Sequence, residues 1–390
     1  MELQCQVQKY DWGKIGNSST VAKLVKTQLE IEETSPYAEL WMGTHVNGPS
    51  MVKSNGNPLS QLIKENPEFI GKSVREIFGD DLPYLFKILS VNKALSIQAH
   101  PDKKLAEELH AKFPSVYKDP NHKPELAIAL TPFEALCGFR PIKEIRNFVT
   151  TIPELNRIVG AEILNVPDDV QFLKFSFASL FQLSKDSLEK EAQSLIERFS
   201  TLSEQDRESQ LAPLIEVLNG QFPSDVGLFV VYFLNYVKLQ PGEAIYLGAS
   251  KPHAYLSGDC VECMACSDNV VRAGFTPKFI DVETLVSMLI YEGENPSDIL
   301  FKPTKEDGNT QIYRPPVPDF AVAQIKISAG QSYATIPRDS GSIIIVIGGS
   351  GSVSGGSTIQ NGSVLFVPAN VSLQITSSED LIMYQGLANV

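Results

Sequence analysis

The sequence predicts a mainly β chain with a helical insertion, closed by a second, all-β unit. Three observations carry that reading: strand-like alternation from the first residues, a change of period between residues 141 and 222, and short strands recurring between turns beyond residue 320. The chain has 390 residues, which at roughly 100–200 residues per domain makes two or three domains. Apolar residues make up 43% and charged residues 20%, enough apolar surface for a sizeable core and too little charge for a disordered chain.

At the start, Leu3, Cys5 and Val7 fall on one face of a strand and Gln4, Gln6 and Gln8 on the other. Turn signals at Asn17-Ser18-Ser19 and Ser54-Asn55-Gly56-Asn57-Pro58 divide residues 1–60, and a short helical stretch is expected over 59–78. Between 141 and 222 the β-branched runs thin out. Leu188, Ala192, Leu195, Ile196 and Phe199 repeat at helical spacing, with Asp186 and Glu189 as an expected capping box. Sheet resumes at 236–247 around the Pro241-Gly242 turn. Residues 303–319, rich in Pro and holding Glu306-Asp307-Gly308-Asn309, read as a linker. Strands are expected at 321–328, 342–347, 363–367, 371–375 and 381–385, the spacing of a sandwich or barrel. The glycine-rich run from Gly348 to Gly356 has no Lys or helix after it, so it reads as hairpin turn and not as a phosphate loop.

Lys plus Arg number 33 against 46 Asp plus Glu, a net charge of −13. Such a surface repels nucleic acid and anionic membranes, so neither is an expected partner. A small anion is still admissible, because a few local cations outweigh distant charge once it is screened. Five cysteines, three of them bunched, do not make a secreted disulfide framework. With no signal-like start and no long apolar run, a cytoplasmic chain is expected.

All five histidines lie at or before His253. Gln98 and His100 share one face of a period-2 strand, useful spacing for ligands. Glu125, in Asn121-His122-Lys123-Pro124-Glu125, adds a carboxylate on a segment that Pro124 keeps extended, and His253 follows Pro252. Two imidazoles, a carboxylate and an amide oxygen would leave Zn²⁺ with about one positive charge, suited to an anionic transition state. Cys260, Cys263 and Cys266 are the rival cluster. They alternate faces of a strand and lack a fourth ligand at finger spacing, so buried packing is the preferred reading. Lys123, Arg272 and Lys278 are candidates for a sugar-phosphate pocket, and Glu39, Glu262 and Asp268 for moving protons.

Five segments occur together in order: Tyr10-Asp-Trp-Gly13, Ala38-Glu-Leu-Trp-Met-Gly-Thr-His45, Ser96-Ile-Gln-Ala-His-Pro-Asp-Lys103, Asn121-His-Lys-Pro-Glu125 and the stretch from Gly258 to Gly274. In these the chain resembles the type I phosphomannose isomerase family, zinc enzymes of the cupin superfamily. The resemblance implies a cupin-type jelly-roll catalytic domain from 1–140 and 223–302, the helical insertion at 141–222, and a metal-free jelly roll at 320–390. It also implies one Zn²⁺ per chain on Gln98, His100, Glu125 and His253, the set found from the residues themselves, and an active-site arginine at Arg272. Glu262, Asp268 and the His122-Lys123 pair stay open as the proton-transferring group. The expected substrate contacts are Lys123, Lys278, Ser96, Trp12, Tyr255, Glu39 and His122. The implied reaction interconverts mannose 6-phosphate and fructose 6-phosphate through an enediol, in a monomer that supplies GDP-mannose synthesis. Ser250-Lys251 departs from the Asn and acidic residue expected there, which touches the rim and not the ligands. An iron dioxygenase would more usually use a His/carboxylate facial set, which Gln98 argues against, and a sugar-phosphate sensor would need a partner module that the acidic chain lacks.

Overall fold

In the computed structural model, which describes residues 1–390, a single long strand, His253–Ala265, organises the first β unit. Its first half pairs with Phe133–Phe139. Its second half lies between Tyr84–Val91 on one flank and Glu125–Ala129 on the other. The change of partners happens at Gly258, whose φ of +107° and contact with Pro132 O, 2.5 Å from where a Cβ would sit, leave room for no other residue. Leu234–Leu239, Glu39–Met42 and Gln6–Gln8 extend this sheet to its edges.

The helical insertion forms as its period dictates. Ala192, Leu195 and Phe199 are buried on the inner face of the helix Lys185–Phe199. Its cap differs from expectation: Ser184, two residues before Asp186, accepts the hydrogen bond from Ser187 N, because the hydroxyl reaches that donor from the extended residue ahead of the first turn. The stretch 59–78 is two helices, Leu59–Glu65 and Lys72–Phe78, interrupted at Asn66-Pro67 and Gly71. Helices recur from Ile142 to Val230, and the helical core also covers Ile97, Ala99, Val271 and Ala273 of the first β unit.

Two expectations need correction. Residues 303–319 are not merely a linker: Thr304–Lys305 and Thr310–Tyr313 are strands, and the second pairs with Ala321–Ile327 because Ile312 and Tyr313 have an apolar surface to join. The N-terminal alternation is not one strand either. Gln6–Gln8 joins the first β unit, whereas Glu2–Gln4 lies between Val364–Val367 and Met51–Val52 in the sheet of the C-terminal unit. That sheet runs through Ala321–Ile327, Leu381–Leu387 and Ser342–Gly348. The strand expected at 371–375 lies at Gln374–Ser377, and the glycine-rich run is the hairpin Ser350–Val353 and Ser357–Gln360. One apolar cluster binds the two β units, with Phe86, Ile88 and Cys263 from the first and Val322, Ile343 and Phe366 from the second. No helix is long and apolar enough to cross a membrane.

Candidate metal centre and anion cavity

His253 opens the long strand, and the chain places Gln98 directly opposite it. On its other side Gln98 pairs with Arg272. Residues opposite one another in antiparallel pairs point to one face, so His253, Gln98 and Arg272 form a row. His100 follows at the end of Ile97–Ala99, and Glu125 opens the neighbouring strand Glu125–Ala129. The ligand atoms of His100, Glu125 and His253 lie within 4.8 Å of one another, and all three residues are buried.

The hydrogen bonds of the two rings decide what this cluster can hold. His100 Nδ1 lies 2.7 Å from Asn269 O and His253 Nδ1 lies 2.9 Å from Lys251 O. A carbonyl only accepts, so each Nδ1 carries the proton and each Nε2 presents a lone pair. Both Nε2 atoms are buried without a hydrogen-bond partner. They lie 3.5 Å and 3.2 Å from Glu125 Oε2, itself an acceptor. Burial pushes His100 down to about 4, so the ring stays neutral near pH 7. Burial raises Glu125, yet the Lys123 ammonium, 3.3 Å from Oε1, together with His100 and His253 outweighs it and holds the carboxylate well below its usual range. Three electron-rich groups converging without a proton fit a divalent cation, and the carbonyls behind the rings fix their orientation.

Beside this cluster, Trp41, Lys87 and Glu262 align across three strands, on the face that also carries Glu125. Lys87 Nζ lies 3.3 Å from Glu39 and 3.1 Å from Glu262, all three residues being buried. Burial opposes the Lys87 charge, but the carboxylates outweigh it and raise its pKa. For Glu262, burial together with Glu125 and Glu39 wins over Lys87, and its pKa is raised. Tyr255, two residues beyond His253, is buried with its hydroxyl unpartnered and is pushed well above its usual value by burial and by Glu262.

Arg272 faces a cavity of about 430 Å³ that Trp12, Ser96, Gln98 and Lys278 also line. Burial alone lowers the Arg272 pKa, with no charged neighbour contributing. A half-buried, unpaired guanidinium one register step from the metal cluster is a receptor for an anion.

The model of the catalytic domain of type I phosphomannose isomerase matches residues 1–142, and that of the family's helical insertion domain matches residues 151–234. Mannose-6-phosphate isomerase of Macaca fascicularis is 45% identical over 98% of this chain and 97% of its own length. That of Schizosaccharomyces pombe is 44% identical over 100% and 99%. The chain belongs to the type I phosphomannose isomerase family of enzymes. Among solved structures, a mutant of phosphomannose isomerase from Salmonella typhimurium superposes with a TM-score of 0.88 at 32% identity, over 100% of this chain and 99% of that one. A zinc-bound mannose 6-phosphate isomerase gives 0.87 at 32% identity with the same coverage.

Within this phosphomannose isomerase fold the predicted residues separate into groups. His100, Glu125 and His253 converge, with Gln98 in register beside them. Glu39 and Glu262 meet around Lys87. Trp12, Ser96, Arg272 and Lys278 share the cavity. Lys123, expected as a substrate contact, turns its ammonium to Glu125 at 3.3 Å. His122, also expected as a substrate contact, has its Nε2 3.0 Å from both oxygens of Asp319. Asp268 is half-exposed and faces His45 at 3.7 Å, away from the buried cluster. A larger cavity of about 660 Å³ around His45, His122 and Asp319 contains none of the converging ligands. At the departure noted at Ser250-Lys251, Lys251 pairs with Glu294 at 2.7 Å while its carbonyl orients His253. Lys87 escaped the sequence reading. Its signal is a lone charge inside the fully buried strand Tyr84–Val91.

Proposed function

We propose that this chain is a zinc-dependent aldose–ketose isomerase that interconverts mannose 6-phosphate and fructose 6-phosphate through an enediol. One observation carries the reading: the buried lone pairs of His100 Nε2 and His253 Nε2 face Glu125 with no proton between them. His100, His253, Glu125 and Gln98 would hold the ion. Bound there, zinc supplies Lewis-acid polarisation of the sugar oxygens at C1 and C2.

The proton transfer falls to Glu262. Its raised pKa makes it a stronger base than an exposed carboxylate, and Lys87 fixes its position. Glu262 takes the C2 proton of the open-chain aldose and returns it to C1, while the hydroxyl proton at O2 passes to O1, leaving the ketose. Arg272 stays protonated and stabilises the charge that develops on the enediolate oxygens. Lys278 and Ser96 take the phosphate, and Lys123 helps to keep Glu125 ionised. Residues 1–140 and 223–302 would carry this chemistry, with 141–222 walling the phosphate end. Five free cysteines and the acidic surface support a cytoplasmic monomer whose mannose 6-phosphate serves GDP-mannose synthesis.

Dialysis against a strong chelator should abolish isomerisation and added Zn²⁺ should restore it. His100→Ala and His253→Ala should lose metal and activity together, whereas His110→Ala, whose ring is held by Tyr117 O at 2.7 Å, should keep both. Full activity in protein shown by elemental analysis to be metal-free would overturn the reading.

A further inference from the structure

Lys93 lines the same cavity as Arg272 and Lys278, and none of the three is engaged in an ion pair. Asp11 is the one carboxylate in the lining, so the cavity carries a net of two positive charges within a chain of net charge −13. A phosphate monoester carries about −1.5 to −2 at neutral pH, which Lys278 and Lys93 together match better than Lys278 alone opposed by Asp11.

Lys93 is held in place from the helical insertion. Its Nζ lies 4.5 Å from the centroid of the Phe222 ring, the range of a cation–π contact. Phe222 in turn stacks on Phe275, with centroids 5.2 Å apart and planes inclined by 27°. Phe275 takes a left-handed φ of +51°, a strained conformation for a bulky residue. Asp225 holds it there, accepting from Phe275 N and Gly227 N, each at 2.7 Å. Gln221 fixes the other wall by accepting from Ala94 N at 2.8 Å. The end of the insertion thus grips both cation-bearing segments, 93–94 and 272–278.

We propose that Lys93, seated on Phe222, is a second phosphate-binding cation beside Lys278 and that the helical insertion thereby selects phosphorylated over unphosphorylated sugar. This rests on the reading that the cavity receives the substrate phosphate. Lys93 binds the phosphate and takes no part in the proton transfer, so its loss falls on affinity and not on kcat.

The test uses zinc-loaded enzyme and reads KM for mannose 6-phosphate, the inhibition constant of inorganic phosphate, and bound zinc as a check on folding. Lys93→Met should raise both constants about 10-fold, the effect of losing one charge-assisted hydrogen bond. Lys93→Arg should restore most of that loss, and Phe222→Leu should raise both constants by a smaller factor. Lys190→Met, at an exposed helical position, should move neither. If Lys93→Met leaves the phosphate constant within twofold of wild type while Lys278→Met weakens it, Lys93 is no part of the site and the proposal fails alone. If neither Lys93→Met nor Lys278→Met weakens phosphate binding, the cavity reading fails and the proposal with it.

Discussion

On the inner face of the sheet built around His253–Ala265, Lys87, Glu39, Glu262, Glu125 and His253 are all buried. The core of the C-terminal sheet, around Ile325, Ile344, Val346, Leu381 and Met383, is apolar. Both units are antiparallel sheets of similar strand composition, and they share one apolar cluster between them. Both units bury charges, which is costly unless the charges are paired or bind something, and in the C-terminal unit they are paired, Arg338 with Glu306 and Asp319 with His122. In the first unit Lys87 is paired, but the buried polar Nε2 atoms of His100 and His253 have no hydrogen-bond partner. The contrast therefore locates function from energetics alone: the C-terminal sheet is explained by packing, and the first is explained only with an occupant.

The most severe way to break this contrast is to make Lys87 apolar. Lys87→Met leaves Glu39 and Glu262 buried without their cation, and breaking such a pair costs about 3–5 kcal/mol. The sign with pH follows from Glu262, whose folded pKa already stands above its unfolded value. Losing Lys87 raises it further. A group of this kind contributes stability that is fully present below its unfolded pKa and is lost as pH rises through the folded one. The variant should thus be most destabilised near neutrality and recover on acidification, and the acid limb of its kcat profile should move to higher pH. Denaturant unfolding at several pH values and the pH–rate profile measure both. An unmoved acid limb would remove Glu262 from the proton-transfer role.

Arg272→Lys tests the other end of the row. A lysine keeps the charge but loses the planar fork, so kcat should fall by roughly 10²-fold, as for a lost preorganised donor, with little change in KM. A raised KM with kcat near wild type would make Arg272 a phosphate anchor only.

What could be read beforehand follows the same divide between local and tertiary information. Gln98, His100 and Glu125 were legible because strand period and Pro124 set their display locally. Lys87 was not, because its partners Glu39 and Glu262 arrive from strands far away in sequence. The break of the first strand at Cys5 was hidden for a related reason. Alternation is continuous across Leu3, Cys5 and Val7, and only pairing assigns the two halves to different sheets. At 303–319, Pro and Gly mark turns correctly, but the Thr310–Tyr313 strand is short enough for its neighbours to mask it. Lys93 and Phe222 have no local signal at all; their relation exists only where the insertion returns to the sheet.

The mildest test compares two faces of one strand. Cys260 packs with Leu89 and Tyr255 on the inner side, and Cys263 packs with Phe86 and Ile88 in the cluster shared by the β units. Burial pushes both thiols well above their usual range and Cys266 up to about 12. The thiolate is the coordinating form, so a metal bound to these thiols would have to overcome that burial. Their side chains also diverge, so no single ion could meet all three. Replacing all three with Ser introduces hydroxyls at apolar sites and should cost about 1–3 kcal/mol for each fully buried one, read as a lower denaturant midpoint. Zinc should remain stoichiometric in the folded variant, because its ligands lie on other residues. Loss of the metal from protein that is still folded would transfer the metal site to the cysteines and undo the contrast between the two faces.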